Sequence, residues 1–306
     1  MMTPGRALLL ARQNWKRGAA ATWHDYVTCD RLPHRWTNPY QDRKPEEVPV
    51  CLLTGRDDFR TALWTLASWF HFTCRNWRVF VHDDGSLGPE HAAILQRLWP
   101  EVVIRWRTEA DRAMQPVMDR FASVRDYRKA HVLALKAFDI PFLSATGPFI
   151  LLDSDLLFFA EPREILQWVD ARDGSSWFNQ DVAEANCLTD GEVFQKYGFH
   201  LWPGVNSGLC LLQAGALDLG EMDRWLGENP ALRNPKTLWR VEQTLLGLAA
   251  SRTGKGGLLP RSYEVSVGRW AAPGCVMRHY VGAVRSRLFG EGIARLAPIL
   301  LRLTGC

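Results

Sequence analysis

The sequence predicts an α/β domain built on a mostly parallel central sheet flanked by helices on both faces. Three observations carry this. Strand-like and helix-like stretches alternate from residue 48 onward, the strand-like ones are short apolar runs, and turn-forming residues close them. Val48 to Thr54 is the first such run, closed by Gly55, as expected of a buried strand. Phe59 to Phe72 has helical spacing through Leu63, Leu66, Trp69 and Phe70. Trp77 to His82 is a second strand, stopped by Asp83-Asp84-Gly85-Ser86. Glu90 to Leu98 is a helix ending at Pro100, and Val102 to Trp106 a third strand. A helix from about Asp126 to Phe138 leads into Phe149 to Phe159, the most hydrophobic strand of all. Further on, Ser176 to Gln180, Val205 to Leu212 and Val276 to Val281 read as strands, and Leu217 to Leu226 and Val241 to Ala250 as helices.

Both ends differ from this body. Residues 1–47 are rich in Arg, Pro, Asn and Trp, lack periodicity and end in a charged run, so they read as an N-terminal extension. In the tail, residues 288–306, Ile293, Leu296, Ile299, Leu300 and Leu303 share one helical face, though Pro298 weakens the helix. That amphipathic helix packs on the domain or, alternatively, makes peripheral contact with a membrane surface. Ala7 to Ala11 is too short an apolar core for a secretory signal, and no stretch reaches the roughly 20 apolar residues of a membrane span.

The composition narrows the function classes. A net charge of +4 with no long Lys/Arg run excludes nucleic acid as the partner and suits a small anionic one. The seven cysteines are scattered and never spaced C-x-x-C, which argues against a zinc knuckle or disulfide framework and for a reducing, cytoplasmic setting. The 14 Trp residues read first as core.

Chemistry concentrates in Asp153-Ser154-Asp155, which is enclosed by eight apolar residues, Phe149 to Leu152 and Leu156 to Phe159. Burying one unpaired carboxylate costs several kcal/mol, so two need a partner. On a strand, positions i and i+2 point the same way, about 6.5–7 Å apart. Both carboxylates can then share one hard cation, Mn2+ or Mg2+. Two phosphate-handling folds use such a triplet. Haloacid-dehalogenase phosphatases place it in their first strand, whereas here about 100 residues of α/β structure precede it.

Three later elements decide between them. Val205-Asn206-Ser207-Gly208-Leu209, Glu242-Gln243, and His279-Tyr280-Val281-Gly282-Ala283-Val284-Arg285 follow the triplet in order. Together they resemble the GT-A glycosyltransferases of the glycogenin and lipopolysaccharide-galactosyltransferase type, across about residues 48–287. Arg285 replaces the usual Lys, Glu242 stands where Asp is common, and Ser286-Arg287 stands where Pro-Trp commonly follows.

The resemblance implies a GT-A catalytic domain with a nucleotide-binding half at 48–155 and an acceptor and sugar half at 156–287. It implies a metal-dependent hexosyltransferase that takes a nucleotide-diphosphate sugar, a UDP-sugar first, to a hydroxyl acceptor with retention. The acceptor is a glycan, a lipid-linked glycan or a protein. Asp153, Asp155 and His279 would hold the metal, with Ser154 between them, and Gly282 and Arg285 would meet the diphosphate. Thr54 and Gly55 would line the nucleoside site, with Asp83 or Asp84 accepting from uracil. Lys129, His131 and Lys136 precede the metal strand, and Lys129 and Lys136, seven apart, are expected on one helix face toward the donor. Asn206, Glu242 and Gln243 are the candidates at the donor sugar. No residue stands out as an inverting enzyme's base, Glu242 and Asp181 being the candidates. A sugar-1-phosphate nucleotidyltransferase shares the sheet and metal logic but lacks support, because no Gly-rich basic loop follows the first strand. A non-catalytic sugar- or nucleotide-binding relative is the third alternative.

Overall fold

Residues 48–54 are apolar enough to be covered on both sides, and they are. In the computed structural model, which describes residues 12–15, 18–268 and 270–302, they form β1 (Glu46–Thr54), with Val50, Cys51 and Leu52 fully buried. Val50 and Leu52 face one core and Cys51 the other. The same alternation recurs on β4 (Pro148–Leu152) and β7 (Val205–Gln213), so the sheet separates two helical layers. The Phe59–Thr73 helix fills the first layer and the Leu238–Ser251 helix the second.

The remaining strands are β2 (Trp77–Asp83), β3 (Val103–Arg105), β5 (Leu156–Phe158), β6 (Ser176–Gln180), β8 (Gly256–Leu258), β9 (Tyr263–Val265) and β10 (Met277–His279). Among the described residues the order is β3-β2-β1-β4-β7-β6-β9-β10-β5, with β8 beside β6. β1, β2, β3 and β4 run parallel, and β7 is antiparallel to both its neighbours. A ligand site is therefore expected beyond the carboxyl ends of β1 and β4.

Two expected elements are broken, and both breaks matter to the site. The run at 149–159 is not one strand: it divides into β4 and β5, which lie far apart in the sheet. Asp153-Ser154-Asp155 is the turn between them, so strand alternation is not what brings the carboxylates together. The Phe59–Thr73 helix holds this turn open. Thr65 Oγ1 donates to the carbonyls of Ser154 (3.0 Å) and Leu156 (2.7 Å), and Ser68 Oγ accepts from the Phe158 amide.

The helix expected over 126–138 splits into Ala122–Ala130 and Ala134–Ala137, because His131 adopts an extended backbone. Lys129 and Lys136 therefore share no face. The segment read as an N-terminal extension contributes Cys29, Leu32 and Trp36 to the core, where Trp36 meets Trp99 at 5.3 Å. In the tail, Ile293, Leu296 and Leu300 are buried and Ile299 faces outward. Residues 7–11 and Leu303 lie outside the described residues. No described helix is long and apolar enough to cross a membrane.

Candidate metal centre

The turn after β4 places Asp153 and Asp155 at the carboxyl end of the sheet, and β10 brings His279 beside them. Ligand atoms of these three residues all lie within 4.8 Å of one another. His279 Nε2 is 3.1 Å from Asp155 Oδ1 and 3.7 Å from Asp153 Oδ2. Two carboxylate oxygens and one imidazole nitrogen form a donor set that suits Mn2+ or Mg2+.

The imidazole is oriented by its neighbours. Asn206 Oδ1 accepts from the Gly208 amide (3.0 Å), and Asn206 Nδ2 donates to Asp181 (3.0 Å), which fixes the side-chain amide's direction. The oxygen that faces His279 Nδ1 at 2.9 Å is therefore an acceptor, so Nδ1 carries the hydrogen. Deprotonated at Nε2, His279 would then offer that lone pair to a cation held between it and the two aspartates. Asn206, expected at the donor sugar, is hydrogen-bonded to the histidine.

Gly208 shows how tightly this is packed. A Cβ there would lie 2.3 Å from the His279 ring. Gly208→Ala is thus expected to push the imidazole off Asp155 and weaken Mn2+ binding by about 10–100-fold, the usual effect of losing an orienting partner. Unchanged affinity in an equilibrium titration would contradict this.

Lys136 is fully enclosed and lies between two acids. Its Nζ is 2.7 Å from Asp153 Oδ1 and 3.3 Å from Glu242 Oε1, and it donates to the Ser207 carbonyl at 3.1 Å. Ser207 Oγ in turn donates to Glu242 Oε2 at 2.9 Å, and Gln243 Oε1 accepts from the Ser207 amide. The Asn-Ser-Gly strand and the Glu242-Gln243 helix turn are thus joined behind the metal centre. Burial pushes the Glu242 carboxyl up to about 6 despite the pull of Lys136. Burial also opposes charge on His279, but Asp155 and Asp153 outweigh it and hold the imidazole above its ordinary value. On Asp155 burial acts upward, and His279, Arg285 and Lys136 together hold it below the usual carboxylate range.

In front of the centre lies a cleft lined by Thr54, Gly55, Asp84, Ser154 and Arg285, together with Asp58. Arg285 pairs with Asp58 and lies 3.8 Å from Asp155. Gly55 is needed, but for a neighbouring side chain: a Cβ there would strike the Asp84 carboxylate. Asp83 is buried away from the cleft, accepting from the Gly85, Leu87 and Arg107 amides, so it builds the turn. Lys129 is exposed and does not line the cleft. Gly282 is exposed in a short turn beside Arg285 and does not line it either. Asp58 and the supporting Thr65 escape a sequence reading, since an N-cap aspartate and a helix threonine carry no signal of a site.

No family model matches this sequence, and no curated protein does. Among solved structures, the galactosyltransferase LgtC in complex with donor and acceptor sugar analogues matches with a TM-score of 0.51 at 13% identity. The match covers 83% of this chain and 96% of LgtC. The chain has the GT-A glycosyltransferase fold. The bifunctional glycosyltransferase WbbM agrees, at a TM-score of 0.50 and 14% identity, over 78% of this chain and 46% of the WbbM chain. In this GT-A fold the aspartates, His279 and Arg285 gather at the carboxyl ends of β1 and β4, where open α/β sheets take their ligands.

Proposed function

We propose that this chain is a divalent-metal-dependent hexosyltransferase that uses a nucleotide-diphosphate sugar, with UDP as the nucleotide, and a hydroxyl acceptor. The observation that carries the reading is the charge of the cleft. Asp58, Asp84, Asp153 and Asp155 line it against Lys136 and Arg285, a surplus of two negative charges. A pocket so charged repels a diphosphate unless a cation is held there too. The fold, the three-residue donor set and the arginine beside it support the same reading. A bound Mn2+ or Mg2+ would act as a Lewis acid, neutralising charge on the departing diphosphate.

The chain's own residues have distinct tasks in this reading. Asp153, Asp155 and neutral His279 hold the cation, Asn206 keeps the histidine's tautomer, and Lys136 pairs with Asp153 at 2.7 Å. Arg285 leaves Asp58 to contact a phosphate oxygen, with the two-pronged geometry a guanidinium provides. Glu242 and Gln243, candidates at the donor sugar, are buried behind the metal centre and would act on it through Ser207 and Lys136. Glu242 is tied to Lys136 and Ser207, which makes it a poor candidate for a free general base and favours retention. The division into a nucleotide half at 48–155 and a sugar half at 156–287 belongs to this proposal.

A thermal-shift screen of nucleotide sugars with and without Mn2+ tests it, because a ligand that binds the folded state stabilises by RT ln(1 + [L]/Kd). UDP-hexoses should raise Tm only with the metal, and product analysis should show hexose transfer or hydrolysis. Pyrophosphate release from sugar 1-phosphate and UTP would instead support a nucleotidyltransferase.

Metal binding should also depend on pH. Without metal, His279 keeps its proton to a pH above the ordinary histidine range. That proton stabilises the metal-free fold below about pH 6.5, and its contribution is lost as pH rises through the raised value. A cation must displace it, so apparent Mn2+ affinity should fall by about tenfold per pH unit below that titration. A flat affinity profile from pH 5.5 to 8 would contradict this assignment.

A further inference from the structure

A second cavity, of about 380 Å³, lies on the other side of the sheet's centre, under the Arg163–Ala171 helix. Its floor is Trp177 and Leu211, opposite one another on β6 and β7, and Trp168 forms a wall. Leu211 is three residues past Gly208 on β7, about 10 Å along the strand, so the two sites are separate.

The chemistry of the lining is specific. Both indole N–H groups are already committed, that of Trp168 to the Ser175 carbonyl (3.0 Å) and that of Trp177 to Ser175 Oγ (2.8 Å). The rings therefore offer apolar faces and not donors. Glu164, Gln167 and Asp173 line the same cavity. The Asp173 Oδ1 atom is fixed by the Ser175 amide and hydroxyl, and Glu164 Oε2 by the Tyr263 hydroxyl at 2.8 Å, which leaves each carboxylate a second oxygen to accept with. No lysine or arginine among the described residues lines it. Such a pocket suits a molecule with an apolar ring face, several hydroxyl donors and no negative charge. Its size falls in the range of small-ligand sites, roughly 300–1,000 Å³.

We propose that this cavity binds a pyranose unit of a neutral glycan, at a distance from the metal centre. In the context of the hexosyltransferase reading, on which this role rests, it would hold a glycan acceptor away from the reacting end. The test uses the full chain and a panel of neutral tetrasaccharides, with a uronic-acid oligosaccharide and octylamine as comparison probes, followed by saturation-transfer NMR and calorimetry. A neutral tetrasaccharide should bind, and Trp177→Ala should weaken it by about tenfold or more. Ala171→Trp, at the exposed mouth, should do the same without lowering Tm, which removes misfolding as an explanation. Asp153→Ala should leave this binding intact, so that failure of the metal reading and failure of this one are told apart. The proposal is overturned if no neutral glycan binds, if octylamine or the uronate binds in preference, or if both cavity variants bind as the wild type does.

Discussion

Asp155→Ala is expected to abolish metal-dependent turnover of the nucleotide sugar, a loss of about three orders of magnitude or more. Three relations make Asp155 the most exposed point of the account. Its Oδ1 faces His279 at 3.1 Å, its Oδ2 faces Arg285, and the surrounding cations hold it ionised. On the proposed reading, alanine removes a metal ligand and a charged contact of both neighbours together. The same substitution should leave folding intact, because Asp155 sits in a turn whose carbonyls, not its carboxylate, are held by Thr65. Turnover assays with added Mn2+ and with chelator check it. Wild-type activity of Asp155→Ala in chelator would remove the metal from the mechanism.

The second large effect is on stability. Lys136→Met should destabilise the protein by about 3–5 kcal/mol, the range found when one partner of a buried ion pair is removed. Lys136 and Glu242 are only 2% and 1% exposed, so neither can turn to water. The loss should depend on pH. Glu242 already sits near 6 with the lysine beside it, and without that cation it moves further up. An acid raised in the folded state contributes stability below its unfolded value and loses it as pH rises through the folded one. The variant should therefore recover much of its deficit at pH 5 relative to pH 8 in urea unfolding. An equal deficit at both pH values would mean that lost packing, not an unpaired carboxylate, is the cause.

These residues also show what the sequence could and could not say. The strands at 48–54, 77–82, 176–180 and 205–212 were legible as short clusters of apolar residues bounded by turn-forming ones, and the helix at 59–72 because its period is clear. The Asp-Ser-Asp triplet was legible because buried acids demand a partner, and His279 through the resemblance its segment bears to the GT-A enzymes. The break between β4 and β5 was not, since its flanks are uniformly apolar and the bonds that open the turn come from Thr65, 89 residues earlier than Ser154. Lys129 and Lys136 looked equivalent until His131 left the helical conformation. Arg128, next to Lys129, is the buried partner of Asp139 at 2.6 Å, whereas Lys129 itself is exposed. The three-residue strands β8 and β9 carry no signal of their own and exist through pairing with β6. Residues 29–36 read as part of an N-terminal extension because burial of Trp36 beside Phe70 and Trp99 is a long-range event.

Equilibrium Mn2+ binding tests the central claim most directly, with free manganese followed by electron paramagnetic resonance in the absence and presence of UDP. The wild type should bind one ion, more tightly with UDP, while Asp155→Ala and His279→Ala should each weaken binding by about tenfold or more. Equal Mn2+ binding by the wild type and both variants, or no coupling to UDP, would contradict it.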